Sequence, residues 1–322
     1  MVLRWVLGRL VSAAATLLGA SILIFAAVRE MPGNYAQLVL GPLASPEAKA
    51  AATHRYGLDR SVVEQYLLWL RNAVHGDLGT SLVSHLSVRH EVAERLPVTI
   101  TITGLAVVLT IVIGIPLGIW TGVSARGGRS GLGGRVTSSV GISVPDFVLG
   151  SLVAYLFSRY SLGLSVGNYV PWSDGAVRSV ESLLLPAAVL SVFCIAATAR
   201  TTRDAVMSAL VEPHVTAAVG RGESPWFIIR HHVLRNASIP VLTLVATLTA
   251  YLLGGAVIVE QLFNVPGLGS YLVQALGRRD YAVIEAGVLL AAVVFIAASL
   301  VIDLLSGWLD PRIAVGQQGG VR

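Results

Sequence analysis

The stretch His214–Pro240, HVTAAVGRGESPWFIIRHHVLRNASIP, decides how the rest of the chain is read. It carries three arginines, three histidines and one glutamate. Apolar runs long enough to cross a membrane flank it, roughly 183–199 before and 238–261 after. Its local grammar is that of two short helices around a break. Glu212-Pro213 opens the first, since proline suits the first helical turn and an acid suits the positive end of the helix. Gly220 and Gly222 close it, because glycine readily takes the left-handed cap conformation. Ser224 then caps a second helix with Pro225 at its first position. On that helix Trp226, Ile229, Val233 and Leu234 fall on one apolar face while Arg230 and Arg235 look elsewhere, and the helix leads through Pro240 into the next apolar run. The stretch reads as a compact polar knob held between two membrane spans. A solvated amphipathic loop helix is the plainer alternative.

Composition agrees with the membrane setting. The 322 residues are 54% hydrophobic and 13% charged, with a mean hydropathy of +0.74. An ordinary soluble chain is about one quarter charged. The net charge is +5 and the pI about 9.7, but the arginines gather at the ends of apolar runs. That is the pattern of membrane orientation, and no nucleic-acid partner is expected. Lys49 is the one lysine. Cys194 is the one cysteine, which excludes an internal disulfide and makes no zinc site by itself.

Six runs qualify as spanning helices: roughly 10–28, 98–121, 137–158, 183–199, 238–261 and 283–308. The first is too long for a signal-peptide core and lacks a good cleavage site, so it reads as a retained span. With the N-terminus in the cytoplasm, twelve arginines fall in inside segments and four in the two short outside loops. The positive-inside rule then places both termini, and the knob, in the cytoplasm of a multi-pass membrane protein. The expected organisation is 1–29 for the N-terminus and first span, 30–96 for an extracytoplasmic segment, 97–310 for a five-helix core with an inside loop at 200–237, and 311–322 for a cytoplasmic tail. Within 30–96, Val62–Val74 is amphipathic, with Val63, Tyr66, Leu67, Leu70 and Val74 on one face.

A few residues stand out chemically. Asp146, beside Pro145, lies within the expected third span, where a carboxylate is costly and points to a pathway. A structural acid beside a wet cavity is the alternative. Glu260 lies near the outer end of the fifth span, where interfacial exposure would account for it. Asp303 reads as a snorkelling or interhelix acid. His231 and His232 are adjacent, so they point about 100° apart and make a poor metal pair. Gly114, Gly118 and Gly122 have the small-residue spacing that permits close helix packing. No G-x-x-x-x-G-K-[ST] phosphate loop occurs.

The knob, with its small-residue helix, glycine break and His232, Leu234, Arg235, Asn236, Ile239 and Pro240, resembles the EAA loop of ABC-importer permeases. Within them it is similar to the dipeptide/oligopeptide/nickel branch. It departs at His214, Thr216, Gly220 and Arg221, where that branch usually has an aromatic, a base, an alanine and a lysine. Further matches run along the chain: Tyr56-Gly57-Leu58-Asp59, Gln65-Tyr66, Gly76-Asp77-Leu78-Gly79, Glu94-Arg95-Leu96-Pro97, Ser143-Val144-Pro145-Asp146-Phe147, Gly254-Gly255-Ala256-Val257 with Glu260, Pro266-Gly267-Leu268-Gly269 and Leu309-Asp310-Pro311-Arg312. Their order and positions cover nearly the whole chain.

The resemblance implies an all-α membrane protein with the MetI-like permease fold of six spans and an extended extracytoplasmic segment between the first two. It implies a permease subunit with no catalytic residue and no cofactor of its own. Two ATP-binding subunits would use ATP and Mg. A second homologous permease and an extracytoplasmic substrate-binding protein would complete the importer in the lipid bilayer. His214, Ala217, Ala218, Gly220, Arg221, Gly222 and Glu223 would couple to an ATPase. Pro145, Asp146, Phe147, Gly254, Gly255 and Glu260 would line the substrate path. Di- or oligopeptides would be the cargo, with nickel chelates and glutathione handled by similar systems. Two other classes stay open: a proton-coupled secondary transporter using Asp146 and Asp303, and a structural membrane subunit that transports nothing.

Overall fold

The computed structural model describes residues 2–31, 45–55, 59–125, 143–160, 163–164 and 166–309. Among these the chain is built of helices and connecting turns, with one isolated bridge between Thr80 and Ser87. The helices are α1 (Val2–Arg29), α2 (Pro46–Arg55), α3 (Val62–Val74), α4 (Val88–Ser124), α5 (Asp146–Tyr160), α6 (Ala176–Leu210), α7 (Pro213–Gly220), α8 (Pro225–Leu262), α9 (Leu268–Arg278) and α10 (Tyr281–Leu309). Helices α4 and α8 each contain one wider turn, at Thr110–Gly114 and Ile229–Val233.

Five helices, α1, α4, α6, α8 and α10, are long and apolar enough to cross a membrane. They contain five of the six expected spans. The third, 137–158, is different. Residues 137–142 lie outside the described residues, and the described part, α5, has 15 residues. That is about 22 Å of helix against a hydrocarbon core of about 30 Å. Proline disfavours helical backbone in the residue before it. Here the chain bends at Val144, Pro145 is non-helical, and the Pro145 carbonyl accepts from the N–H of Val148 and Leu149. Asp146 therefore opens a helix instead of sitting inside one.

Helices run across the expected boundaries. The α4 helix begins at Val88, so the division drawn between 96 and 97 falls inside it. The inside loop expected over 200–237 is mostly helix: α6 continues to Leu210 and α8 starts at Pro225. The tail, 311–322, is outside the described residues.

The centre of the bundle is α6. Its Leu183, Leu190 and Cys194 pack with Val98, Ile102 and Ala106 of α4 and with Leu248, Leu252, Ala256 and Val259 of α8. In lipid, apolar burial alone does not drive helices together, so close packing of small residues matters more. The glycine stripe supplies it. Gly114, Gly118 and Gly122, four apart and hence on one face, all meet α6; a Cβ at Gly118 would stand 2.6 Å from the carbonyl oxygen of Ala199, and one at Gly122 2.9 Å from Val206. A second cluster joins Val28 of α1, Val88 and Val92 of α4, Leu268 and Ala275 of α9, and Tyr281, Val283 and Ala286 of α10.

Helix α3 spans the residues its periodicity marks out. Ser61 and Glu64 form a reciprocal capping box at 3.3 Å each way. The expected single apolar face is divided in the structure. Tyr66 turns to α1, where its hydroxyl and that of Ser21 are 2.8 Å apart and its ring meets Phe25 at 5.5 Å. Trp69 joins it at 5.6 Å from Phe25. Val63, Leu67 and Val74 are exposed, and no residue of α3 is buried.

Candidate functional site

The polar stretch folds as a knob of two helices on the end of α6. Helix α7 has Glu212 as its N-cap and Pro213 at its first turn. Its other end closes as a Schellman turn: the Gly222 N–H donates to the Val219 carbonyl at 2.9 Å and the Glu223 N–H to the Ala218 carbonyl at 3.2 Å. Gly222 sits at φ +78°, so it carries the left-handed residue that the turn needs. Gly220 does not share this role, because it is the last residue of α7 itself. Ser224 then accepts from the Phe227 N–H and starts α8.

The wide turn at Ile229–Val233 shifts which residues face inward. Ile228, Val233 and Ala237 pack with Val215 and Ala218 of α7 and with Val206, Ala209 and Leu210 of α6. The expected face of Trp226 and Ile229 is thereby displaced: Trp226 is 69% exposed, because the extra residue in the turn rotates everything before it. Of the predicted coupling residues, Ala218 is buried and Glu223 half-buried, while His214, Ala217, Gly220, Arg221 and Gly222 are exposed. Val219 and Phe227 are exposed with them.

Polar ties lock the two helices. Glu223 accepts from Arg221 through Nε and Nη2 at 2.9 and 2.6 Å, and its other oxygen lies 3.0 Å from Nε2 of His232. The Arg221 hydrogen bonds, and secondarily His232, hold the Glu223 carboxyl below the usual carboxylate range against the opposing effect of partial burial. Asn236 and His214 approach at 3.3 Å. His231 stacks on Phe227 at 4.2 Å, so the adjacent histidines do point apart. Among the described residues no cluster of three metal-ligating side chains occurs.

The predicted path residues do not form one group. Asp146 receives a hydrogen bond of 2.9 Å from the Tyr251 hydroxyl of α8, and Tyr251 packs against Phe193 of α6 at 5.1 Å. Asp146 is half-buried; Pro145 and Phe147 are exposed. Gly255, one helical turn from Tyr251, lies against Leu190. Gly254 instead opens onto an apolar groove of about 390 Å³ lined by Thr99, Val257, Leu272 and Phe295. The Asp303 side chain is outside what is described.

Glu260 corrects its sequence reading. Interfacial exposure was expected, yet the side chain is fully buried at 0%. One carboxylate oxygen accepts from the Thr99 hydroxyl at 2.5 Å, and the other from the Ser270 N–H at 2.8 Å, with the Gly269 N–H also bonded. Thr99 in turn accepts from the Leu268 N–H at 2.9 Å. The carboxylate thus satisfies the open N-terminus of α9, which has no side-chain cap of its own. Gly267 is required beside it, since any Cβ there would collide with the Glu260 carboxylate.

Several partners were not anticipated. Tyr251, Thr99 and the Ser270 backbone N–H act from other elements, and none of them carries a local signal for these contacts. Buried Asp280 accepts from the Ser81 hydroxyl at 2.5 Å and from the Leu82 N–H at 3.2 Å, tying the segment before α4 to the start of α10.

Comparison with known proteins gives a concordant result. Residues 114–315 match the model of the binding-protein-dependent transport system inner membrane component, and residues 2–103 match the N-terminal model of the same component. The chain is 34% identical over 333 residues to the dipeptide transport system permease protein of Alkalihalophilus pseudofirmus, covering 97% of this chain and 99% of that one. It is 36% identical over 311 residues to the glutathione transport system permease protein of Salmonella paratyphi A, again covering 97% and 99%. The crystal structure of an amino acid ABC transporter with histidines matches with a TM-score of 0.50 at 17% identity, over 69% of this chain and 94% of that one. That likeness concerns the fold alone.

Proposed function

The chain belongs to the family of binding-protein-dependent transport system inner membrane components, and from that premise we propose that it moves di- or oligopeptides as a permease subunit of an ATP-driven importer. Its partners in this reading are a second homologous permease, two ATP-binding subunits that use ATP and Mg, and an extracytoplasmic binding protein that hands over the cargo. Both termini and the knob face the cytoplasm. The peptide assignment draws on the name of the dipeptide relative; the glutathione relative carries a small peptide-like cargo in its own name.

One observation carries the coupling role. The knob is cross-tied by Arg221, Glu223 and His232, yet His214, Ala217, Gly220 and Arg221 stay exposed on it. It is a rigid exposed surface at the end of α6 and at the root of α8, as a part that receives a push should be. The path runs past Pro145, Asp146, Phe147 and Gly255; Gly254 opens onto a separate groove and is left out. Glu260 is left out, because its carboxylate is sealed and fully bonded.

The test is Gly222→Pro. Proline cannot take a positive φ and has no N–H to give Val219. Membrane levels should stay near normal while peptide uptake and cargo-stimulated ATPase activity fall together. Normal uptake by a well-expressed variant would sink the coupling role. Orientation has its own check. In a Cys194→Ala background, a cysteine at Ser84 should react with an impermeant thiol reagent on intact cells, and one at Ser224 should not. Labelling at 224 would put the knob on the wrong side for any cytoplasmic ATPase. Proton-coupled uptake by the purified chain alone would favour a secondary transporter instead.

A further inference from the structure

Helix α3 is a capped, regular helix of 13 residues in which nothing is buried. A helix of that length is marginal in water unless packing supports it. One edge of it meets α1, where Tyr66 and Trp69 touch Ser21 and Phe25. Beside that edge runs an apolar stripe left open: Val63 is 67% exposed, Leu67 56% and Val74 76%. At 100° per residue the stripe centres about 100° round the helix from the Tyr66–Trp69 edge. Gln65 and Asn72 lie on the side opposite the stripe, and Glu64 and Arg71 on the side opposite α1.

The place of contact fixes the depth. Ser21 and Phe25 are buried residues of α1, which is long and apolar enough to cross the membrane and ends at Arg29. Phe25 lies about 6 Å and Ser21 about 12 Å along the helix from Arg29. The α3 edge that touches them therefore sits at the level where the headgroups give way to acyl chains. On the same helix Leu18, Ile22 and Leu23 are exposed apolar residues at or below that level. The open stripe of α3 is apolar and exposed like this surface. A helix lying flat beside an upright one has its partner to the side and the bilayer beneath it, about a quarter turn apart, as the two apolar edges of α3 are. Trp69 and Tyr66, with apolar rings and polar tips, suit that boundary.

We propose that α3 is an interfacial helix whose Val63, Leu67 and Val74 face lipid, in the leaflet at the Arg29 end of α1. The bilayer supplies the cover that the protein does not, and the exposed Asn72, Glu64 and Arg71 remain at the wet side. The segment between α1 and α4 is thereby held down on the membrane instead of standing free above it. The inference rests on α1 crossing the bilayer and is independent of the cargo and of the coupling role.

Depth-resolved quenching tests it. The full chain, with Cys194→Ala and one cysteine at a time carrying an environment-sensitive dye, is placed in phosphatidylcholine vesicles. Labels at Leu67→Cys and Val74→Cys should be quenched by lipid with a nitroxide at carbon 5 and shielded from aqueous iodide. A label at Asn72→Cys should show the reverse. Adding Val63→Glu and Leu67→Glu should abolish lipid quenching at position 74. Equal iodide access at 67 and 72 would overturn the proposal. So would shielding at 67 without lipid quenching, which means protein covers the stripe, or shielding that arises only when a binding protein is added. Retained lipid quenching at position 74 in the double glutamate variant would show that the stripe does not hold the helix there.

Discussion

Glu260 and Asp146 are two carboxylates attached to the same bundle, and they are treated in opposite ways. Glu260 is sealed, with donors from Thr99, Gly269 and Ser270 around it. Asp146 is half-buried and among the described residues accepts a side-chain hydrogen bond from Tyr251. An acid in a membrane protein is expensive in either place. The first arrangement offsets that cost with fixed donors and so belongs to the fold. The second leaves acceptor capacity spare at a helix start. Expense alone does not mark a functional acid; the proposed path role of Asp146 rests on its spare valence.

The contrast can be broken at four points, ordered by expected effect. Glu260→Ala should be the most damaging, because it strips the buried N-terminus of α9 of its acceptor and leaves several donors unpaired, a loss on the order of 3 kcal/mol or more. The readout is the thermal midpoint and yield of the detergent-solubilised protein, with Glu260→Gln falling between. A Glu260→Ala protein as stable as wild type would mean that the seal is not structural. Gly118→Leu comes next. It forces α4 off α6 and should cost roughly 1–3 kcal/mol in the same assay; an unchanged midpoint would show the helix contact is loose.

Asp146→Asn should barely move the midpoint, by less than about 1 kcal/mol, since asparagine keeps an acceptor for Tyr251. Its effect should be on transport rate or cargo preference, measured in vesicles with assembled partners. A collapsed midpoint with normal kinetics would make Asp146 another Glu260. The smallest effect belongs to Glu223. Its pKa is depressed in the folded chain, so its tie to Arg221 is fully present above the usual carboxylate range and is lost as pH falls through the lowered value. The stability gap between wild type and Glu223→Gln should therefore shrink on acidification below that range. A gap that is flat with pH would mean the carboxylate charge is not what Arg221 holds.

What could be read in advance follows the same division. The knob was legible because its signals are local. Pro213, Gly222, Ser224 and Pro225 each act within four residues, through backbone conformation or a cap. The register of α8 was missed because an extra residue in one turn leaves no compositional mark. The start of α5 was available in Pro145 but was outweighed by the long apolar run around it. Glu260 could not be placed. Thr99 lies 161 positions away, and the helix it caps is separated from it by a turn. Only the crowding of glycines at 267 and 269 hints that something close must pass.

The glycine stripe on α4 has a mechanical consequence. With backbone against backbone at Gly114, Gly118 and Gly122, α4 and α6 have little room to slide or splay. They form one stiff beam, and the knob is mounted on the end of it where α6 stops at Leu210. In the proposed coupling role, a load applied at the knob would swing the two helices together as one lever. Paired spin labels at positions 117 and 201 should hold a single distance through a turnover cycle.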